Sequence, residues 1–301
     1  MLAAGIVALL VTASAAGLIL KLRAANGQPH ATIDNLNARV GSWWIIAAAF
    51  GLALWAGRTA IIALFAWVSF VALGEFFAGR AQTLADRVIH ASCRWIAVPL
   101  QYLFVWLEWQ ALFVLFLPLF AIVVVPLLRA AFSSKQALRS PAGLLLCGYV
   151  ISHIPAILTL EIPGHAGRNL FLLAFLIVIT QLSDVLQYLW GKAAGRHPIA
   201  PKISPAKTVE GALGGIACAS LLGALLAPIT PFSVAQAGAI ALAVAILGFA
   251  GGLWLSAIKR SRGIKDWGDL IPGHGGMLDR IDSLVLSAPF FFYTVYCGWA
   301  R

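Results

Sequence analysis

The stretch Ser256–Asp282, SAIKRSRGIKDWGDLIPGHGGMLDRID, is strongly polar and sits between two apolar runs, 233–256 and 283–299. About 20 apolar residues are what a helix needs to span hydrocarbon, so the segment reads as a loop joining two membrane helices. It holds Lys259, Arg260, Arg262, Lys265 and Arg280, the acids Asp266, Asp269, Asp279 and Asp282, and His274. Four of the chain's eleven carboxylates and five of its twenty-one cations therefore fall in this one stretch. A mere connector has no need of that density, nor of Pro272-Gly273-His274-Gly275-Gly276 at its centre.

Working outward, the whole chain is 61% hydrophobic and 11% charged, where soluble domains carry about 25% charged residues. The expectation is an all-α, polytopic membrane protein. Apolar runs recur at 2–20, 42–57, 59–78, 94–107, 109–128, 141–160, 168–190, 209–228, 233–256 and 283–299, which suggests about ten transmembrane helices. The first run has no preceding cations and reads as an uncleaved helix rather than a signal peptide. If the loops at 21–41, 79–94, 129–140, 191–208 and 257–282 share one side, eighteen of the twenty-one Lys and Arg lie there. That is the positive-inside pattern. It places these loops in the cytoplasm and both termini outside. The net charge of +10 then reflects topology and anionic lipid, and no nucleic-acid partner is expected. The four cysteines are scattered without CxxC spacing, which indicates neither a zinc site nor a disulfide frame. Residues 1–165 form amino-terminal helices poor in polar constellations, and 166–301 form the region with chemistry, all within one membrane domain. A homodimer through the amino-terminal helices is compatible with this reading.

Three places carry polar chemistry. In the helix at 168–190, Gln181, Asp184 and Tyr188 fall at i, i+3 and i+7 on one face. An ionised Asp at membrane depth costs about 2.5–3.5 kcal/mol even on the lenient insertion scale, so Asp184 needs a cation or a polar cavity unless it lies wet at the interface. In PKISPAKTVEG, residues 201–211, Lys202 and Lys207 flank a helix start that Thr208 and Glu210 can open. Helix starts bind anions, which makes a phosphate cradle the sharp reading and a solvated basic loop the plain one. In the opening stretch, Ser256 and Lys259/Arg260 lie a turn apart, and Gly273, Gly275 and Gly276 let backbone approach phosphate. Asp279 and Asp282, three apart on the last helix, supply hard oxygen donors of the kind Mg²⁺ takes. His274 is a general acid or a loop-holding hydrogen-bond former.

These residues resemble a known signature. S-x-x-K-R-x4-K-D-x-G-x3-P-G-H-G-G-x2-D-R-x-D, Ser256 to Asp282, is similar to that of the phosphatidate cytidylyltransferases (CDP-diacylglycerol synthases). Asp184-x3-Tyr188-x2-Gly191-Lys192 and Pro201–Gly211 resemble two upstream motifs of the family, in a divergent bacterial branch. The resemblance covers 168–299 closely. It implies transfer of cytidylyl from CTP to phosphatidic acid, giving CDP-diacylglycerol and pyrophosphate, with Mg²⁺ and with K⁺ as a candidate second cation. By position, Asp279 would bind metal, with Asp282 and Asp266 near it. Lys207, Lys259, Arg260, Lys265 and Arg280 would hold phosphates, and Ser204 and Ser256 would line the site.

One position departs from the family's pattern. Where the family carries an acid paired with the one at Asp279, this chain has Gly252 in Gly251-Gly252-Leu253. Asp269 is a candidate to compensate as a metal ligand. The alternatives are a catalytically impaired paralogue that binds lipid or nucleotide, and an enzyme for another lipid phosphate. A secondary transporter would leave the phosphate-type loop unexplained and would call for inverted halves, of which the hydropathy shows none.

Overall fold

The computed structural model describes residues 2–23, 28, 30–79, 83–131, 140–268, 270 and 275–300. Asp269 and His274 lie outside the described residues, as do Pro272 and Gly273. The chain opens with α1 (Leu2–Arg23), α2 (Ala31–Ala56) and α3 (Arg58–Phe77). Next, α4 (Leu84–Ser92) passes through a π-helical turn (Cys93–Ala97) into α5 (Val98–Trp106). The pairs α6 (Gln110–Leu119) and α7 (Val125–Ala131), then α8 (Ser140–Leu144) and α9 (Ile151–Ala156), are joined by π turns in the same way. The second half contains α10 (Asn169–Ala194), α11 (Val209–Leu225), α12 (Val234–Ser261) and α13 (Leu284–Gly298).

Among the described residues, six helical stretches are long and apolar enough to cross a membrane: 58–77, 86–106, 110–128, 140–159, 169–194 and 234–261. Three shorter apolar helices, at 40–56, 209–225 and 284–298, accompany them. The chain is thus a multi-pass membrane protein. Helices are the natural outcome, because hydrocarbon offers backbone N–H and C=O groups no partner outside the segment.

The fold departs from the sequence reading at three points. It is not wholly helical: β1 (Pro198–Ala200) and β2 (Ser204–Thr208) pair antiparallel, Ala200 opposite Ser204. Pro198, Pro201 and Pro205 lack the N–H of a helix interior and favour extended neighbours. In addition, α12 continues to Ser261, so Ser256, Lys259 and Arg260 ride on its last turns rather than in a loop. Asp279 and Asp282 lie in turns before α13, not on it.

One continuous apolar core runs from Ala53 on α2 to Val295 on α13. Around it α10, α11 and α12 pack in sequence, and α11 approaches α10 through Gly211 and Gly215. A Cβ at Gly215 would stand 2.4 Å from the Gln187 backbone nitrogen, so only glycine permits this spacing, as in small-xxx-small helix pairs. The contact sets the start of α11, with Lys207 just before it, against the part of α10 that carries Asp184 and Gln187.

Candidate active site

The densest cluster forms where the ends of α3, α10 and α12 meet the hairpin and the turns before α13. Lys259, on the last turns of α12, donates to Asp279 Oδ1 at 2.6 Å, and the two side chains are only 11% and 4% exposed. The other oxygen, Oδ2, accepts from Trp267 N at 2.8 Å and Gly276 N at 3.0 Å. Gly275 has φ +79°, and a Cβ there would stand 2.8 Å from Asp279 Oδ2. Both the backbone conformation and the lack of space therefore demand glycine. Asp266 packs against the same glycine, with its Cβ 3.2 Å from that point, but it is otherwise exposed.

A second pole lies deeper. Gly252 stands nine residues before the end of α12, about 13 Å down the helix at 1.5 Å per residue. A Cβ built there would meet Lys207 Nζ at 3.0 Å and Asp282 Oδ2 at 3.6 Å. The Lys207 ammonium also lies 4.7 Å from the Phe249 ring centroid, and it faces Asp184, which Ser283 and Arg280 also approach. Asp282 Oδ1 accepts from Ser283 N at 2.8 Å. Loss of solvation, with the Asp184 charge second, raises the Asp282 carboxyl to about 6, against the pull of Lys207 and Lys259. The sign follows from linkage. This group favours the folded state while protonated, below the ordinary carboxylate range, and that contribution is lost as pH rises through about 6.

The sequence reading missed Glu75. From α3 its Oε1 accepts from Met277 N at 2.7 Å and its Oε2 from Leu278 N at 2.9 Å. A Cβ at Gly276 would stand 2.5 Å from Glu75 Oε2, and one at Gly268 would stand 3.1 Å from Oε1. Two glycines of the signature loop thus make room for a carboxylate from the amino-terminal half. One residue on, Arg262 donates to Phe76 O at 3.1 Å and stacks over the Phe76 and Trp267 rings. The amino-terminal helices, read as poor in polar constellations, therefore hold the loop in place. The one available signal was a lone acid near the end of an apolar run.

Other expected residues take different places. Arg260 donates to the carbonyls of Ile203 and Ile264, both at 3.2 Å, and braces the hairpin turn. Thr208 caps α11 by accepting from Gly211 N. Glu210 accepts from Arg196 N at 3.0 Å and from the His197 ring, so it closes the hairpin. Tyr188 is 58% exposed and points away from the acid cluster, with Lys192 Nζ 5.9 Å above its ring. Lys202 and Lys265 are exposed, and Ser204 and Ser256 are half-buried. Ser256 sits one turn below Lys259 and one above Gly252.

A buried lysine, clustered carboxylates and glycine-permitted turns thus come together among the helices of a membrane protein. The sequence model of the Cytidylyltransferase family matches residues 37–297, and the chain belongs to that family. It is 35% identical to the uncharacterized protein YnbB of Escherichia coli (strain K12), over 89% of this chain and 90% of that protein. It is 34% identical to the phosphatidate cytidylyltransferase of Haemophilus influenzae, over 54% of this chain and 60% of the relative. With that of Aquifex aeolicus the identity is 42%, over 42% of this chain and 48% of the relative. The chain thus spans about half to three-fifths of the length of these two named enzymes.

Proposed function

We propose that this chain transfers the cytidylyl group of CTP to phosphatidic acid at the cytoplasmic side of a bacterial inner membrane. The observation that carries the reading is the convergence of Lys259–Asp279 with Lys207, Asp184 and Asp282 inside a membrane helix bundle. Relatives named phosphatidate cytidylyltransferase support it. An oxygen of the lipid phosphomonoester attacks the α-phosphorus of CTP. The bond to the bridging oxygen breaks, and pyrophosphate leaves with its electron pair. Such chemistry needs mainly positioning and charge neutralisation. Lys207, Lys259 and Arg280 supply fixed positive charge for the phosphates.

Among the described residues, no group of three or more His, Cys, Asp or Glu is placed to hold a metal ion. Mg²⁺, however, is commonly held by one or two carboxylates plus substrate phosphates, and this donor set meets that need. Of the roughly four lone-pair sites on a carboxylate, three on Asp279 serve Lys259, Trp267 N and Gly276 N, which leaves one on Oδ1. On Asp282, Oδ2 faces Gly252, beside the Lys207 ammonium. Asp279 and Asp282 would hold the ion. Bound there, it would neutralise charge on the triphosphate and on the leaving pyrophosphate.

A second reading, an impaired paralogue, has one observation in its favour: Gly252 contributes no oxygen, and the Lys207 ammonium stands beside that position. The test follows labelled CTP into lipid with phosphatidic acid and Mg²⁺, for the natural chain and Gly252→Asp in parallel. Activity of the natural chain supports the first reading. Turnover by Gly252→Asp alone supports the second. Silence from both, with folding intact, refutes phosphatidic acid as the substrate.

A further inference from the structure

A separate cluster lies on α3 beside the stretch that ends in Glu75. Phe70, Gly74 and Phe77 fall at i, i+4 and i+7 and form one stripe of that helix. Facing them are His90 on α4 and Arg94 in the π turn that follows it. The Arg94 guanidinium lies 3.9 Å over the Phe70 ring and rests against the helix at Gly74, where a Cβ would stand 2.9 Å from Cζ. His90 stacks on Phe77 with centroids 3.9 Å apart, and Trp95 packs edge-on to Phe70. Between the two rows is a cavity of about 230 Å³ lined by Gly74, Phe77, Ala78, His90 and Arg94, with Trp95 at its lip.

Arg94 is charged yet lies within 86–106, a stretch apolar enough to cross a membrane. Among the described residues it has no ion-pair partner, and its Nε, shielded from solvent, makes no hydrogen bond. A cation in a span is costly and ordinarily pairs, and with no anion supplied by the described residues the place is open to one from outside the chain. A guanidinium matches phosphate in a planar fork, and basic pockets between membrane helices take lipid headgroups. Trp95 and Ile96 are 68% and 52% exposed, an apolar lip against which acyl chains can lie. We infer that the cavity between α3 and α4 binds the phosphate of an anionic membrane phospholipid through Arg94, apart from the acid–lysine site. Since Gly74 adjoins Glu75, the bound lipid abuts the helix end that holds the 275–283 turns.

The test uses the full chain in nanodiscs of phosphatidylcholine with added phosphatidylglycerol. This phosphodiester offers no terminal phosphate for group transfer, so the result is independent of the proposed reaction. Retained lipid is read by native mass spectrometry. The natural chain should retain phosphatidylglycerol in preference to phosphatidylcholine. Arg94→Leu should lose that preference at least tenfold, Arg94→Lys should fall between, and Lys207→Ala should match the natural chain. Should Arg94→Leu fail to fold, Arg94→Lys and the preference of the natural chain still decide the matter. No preference in the natural chain, unchanged retention in the Arg94 variants, or equal loss in Lys207→Ala each overturns the inference. Complete displacement by excess inorganic phosphate would reduce the site to a simple anion site and overturn the lipid assignment.

Discussion

Replacing Glu75 tests whether the amino-terminal helices position the site. The Glu75 carboxylate accepts two backbone N–H groups, at 2.7 and 2.9 Å, immediately before Asp279. A hydrogen bond to a charged group contributes about 1.5–3 kcal/mol net. Taking the low end for each, because the loop can recruit water once the side chain is gone, Glu75→Ala should cost the turn about 3 kcal/mol. At about 1.4 kcal/mol per tenfold, that is roughly a hundredfold faster opening of the 277 and 278 amides. Glu75→Gln keeps one acceptor oxygen and sets an NH₂ against the other N–H, so it should lose about half as much. Hydrogen exchange of the peptide spanning Gly275–Ser283 reads this directly and needs no substrate. If the proposed reaction holds, a shift of about 1 Å in Asp279 costs about a hundredfold in turnover, with the KM for CTP less affected. Unchanged exchange in Glu75→Ala would refute the positioning role. So would an activity loss in Glu75→Ala with the turn still protected, because Glu75 would then act on substrate rather than on the turn.

Other expectations follow from the same contacts. Gly276→Ala puts a Cβ 2.5 Å from Glu75 Oε2 and should reproduce the exchange phenotype of Glu75→Ala, whereas Gly268→Ala, at 3.1 Å, should be milder. Lys259→Ala leaves Asp279 buried without its cation and should cost about 3–5 kcal/mol; Lys259→Met with Asp279→Asn, which removes the charge but keeps an acceptor for Trp267 N and Gly276 N, should recover most of that stability in a denaturation cycle while remaining inactive. Gly215→Ala drives a Cβ into the Gln187 backbone at 2.4 Å and should cost about 1–3 kcal/mol by overpacking, seen as a lower melting midpoint. Removal of divalent ions by a chelator should abolish CTP consumption and leave the melting midpoint almost unchanged, since Asp279 is already satisfied by protein donors.

The helices were legible because hydrocarbon imposes one solution on a long apolar run, and so were the residues that carry charge into it. Their pairing was less so. Lys259 and Asp279 meet only because the turns at 275–283 lie against the end of α12, and no periodicity encodes that return. The glycines of the signature loop were read as letting backbone approach phosphate. The structure shows Gly276 and Gly268 accommodating Glu75, a partner 193 or more residues away in sequence whose targets are backbone N–H groups. Backbone donors leave no mark in sequence, so an acid that serves them looks like an isolated charge. Tyr188 shows the converse. Its spacing from Asp184 is helical, but a helix face is broad, and Tyr188 falls on the exposed side of it while Ser183 and Gln187 are buried.

Gly252 ties these strands together. A side chain at that position would point at Lys207 Nζ and Asp282 Oδ2. A carboxylate there would pair with Lys207 and add a third acid to Asp184 and Asp282, raising the demand for a metal ion. With glycine, Lys207 is left to the two acids already present, and the local negative charge is lower by one before any substrate arrives. The departure from the family's pattern therefore changes the partners of a lysine as well as the number of metal ligands. On this balance, Gly252→Asp should tighten Mg²⁺ binding in proportion to the Lys207 charge it fails to capture, and Gly252→Asp combined with Lys207→Met should tighten it further. Equal Mg²⁺ affinity in the single and double variants would show that Lys207 does not compete for the new acid.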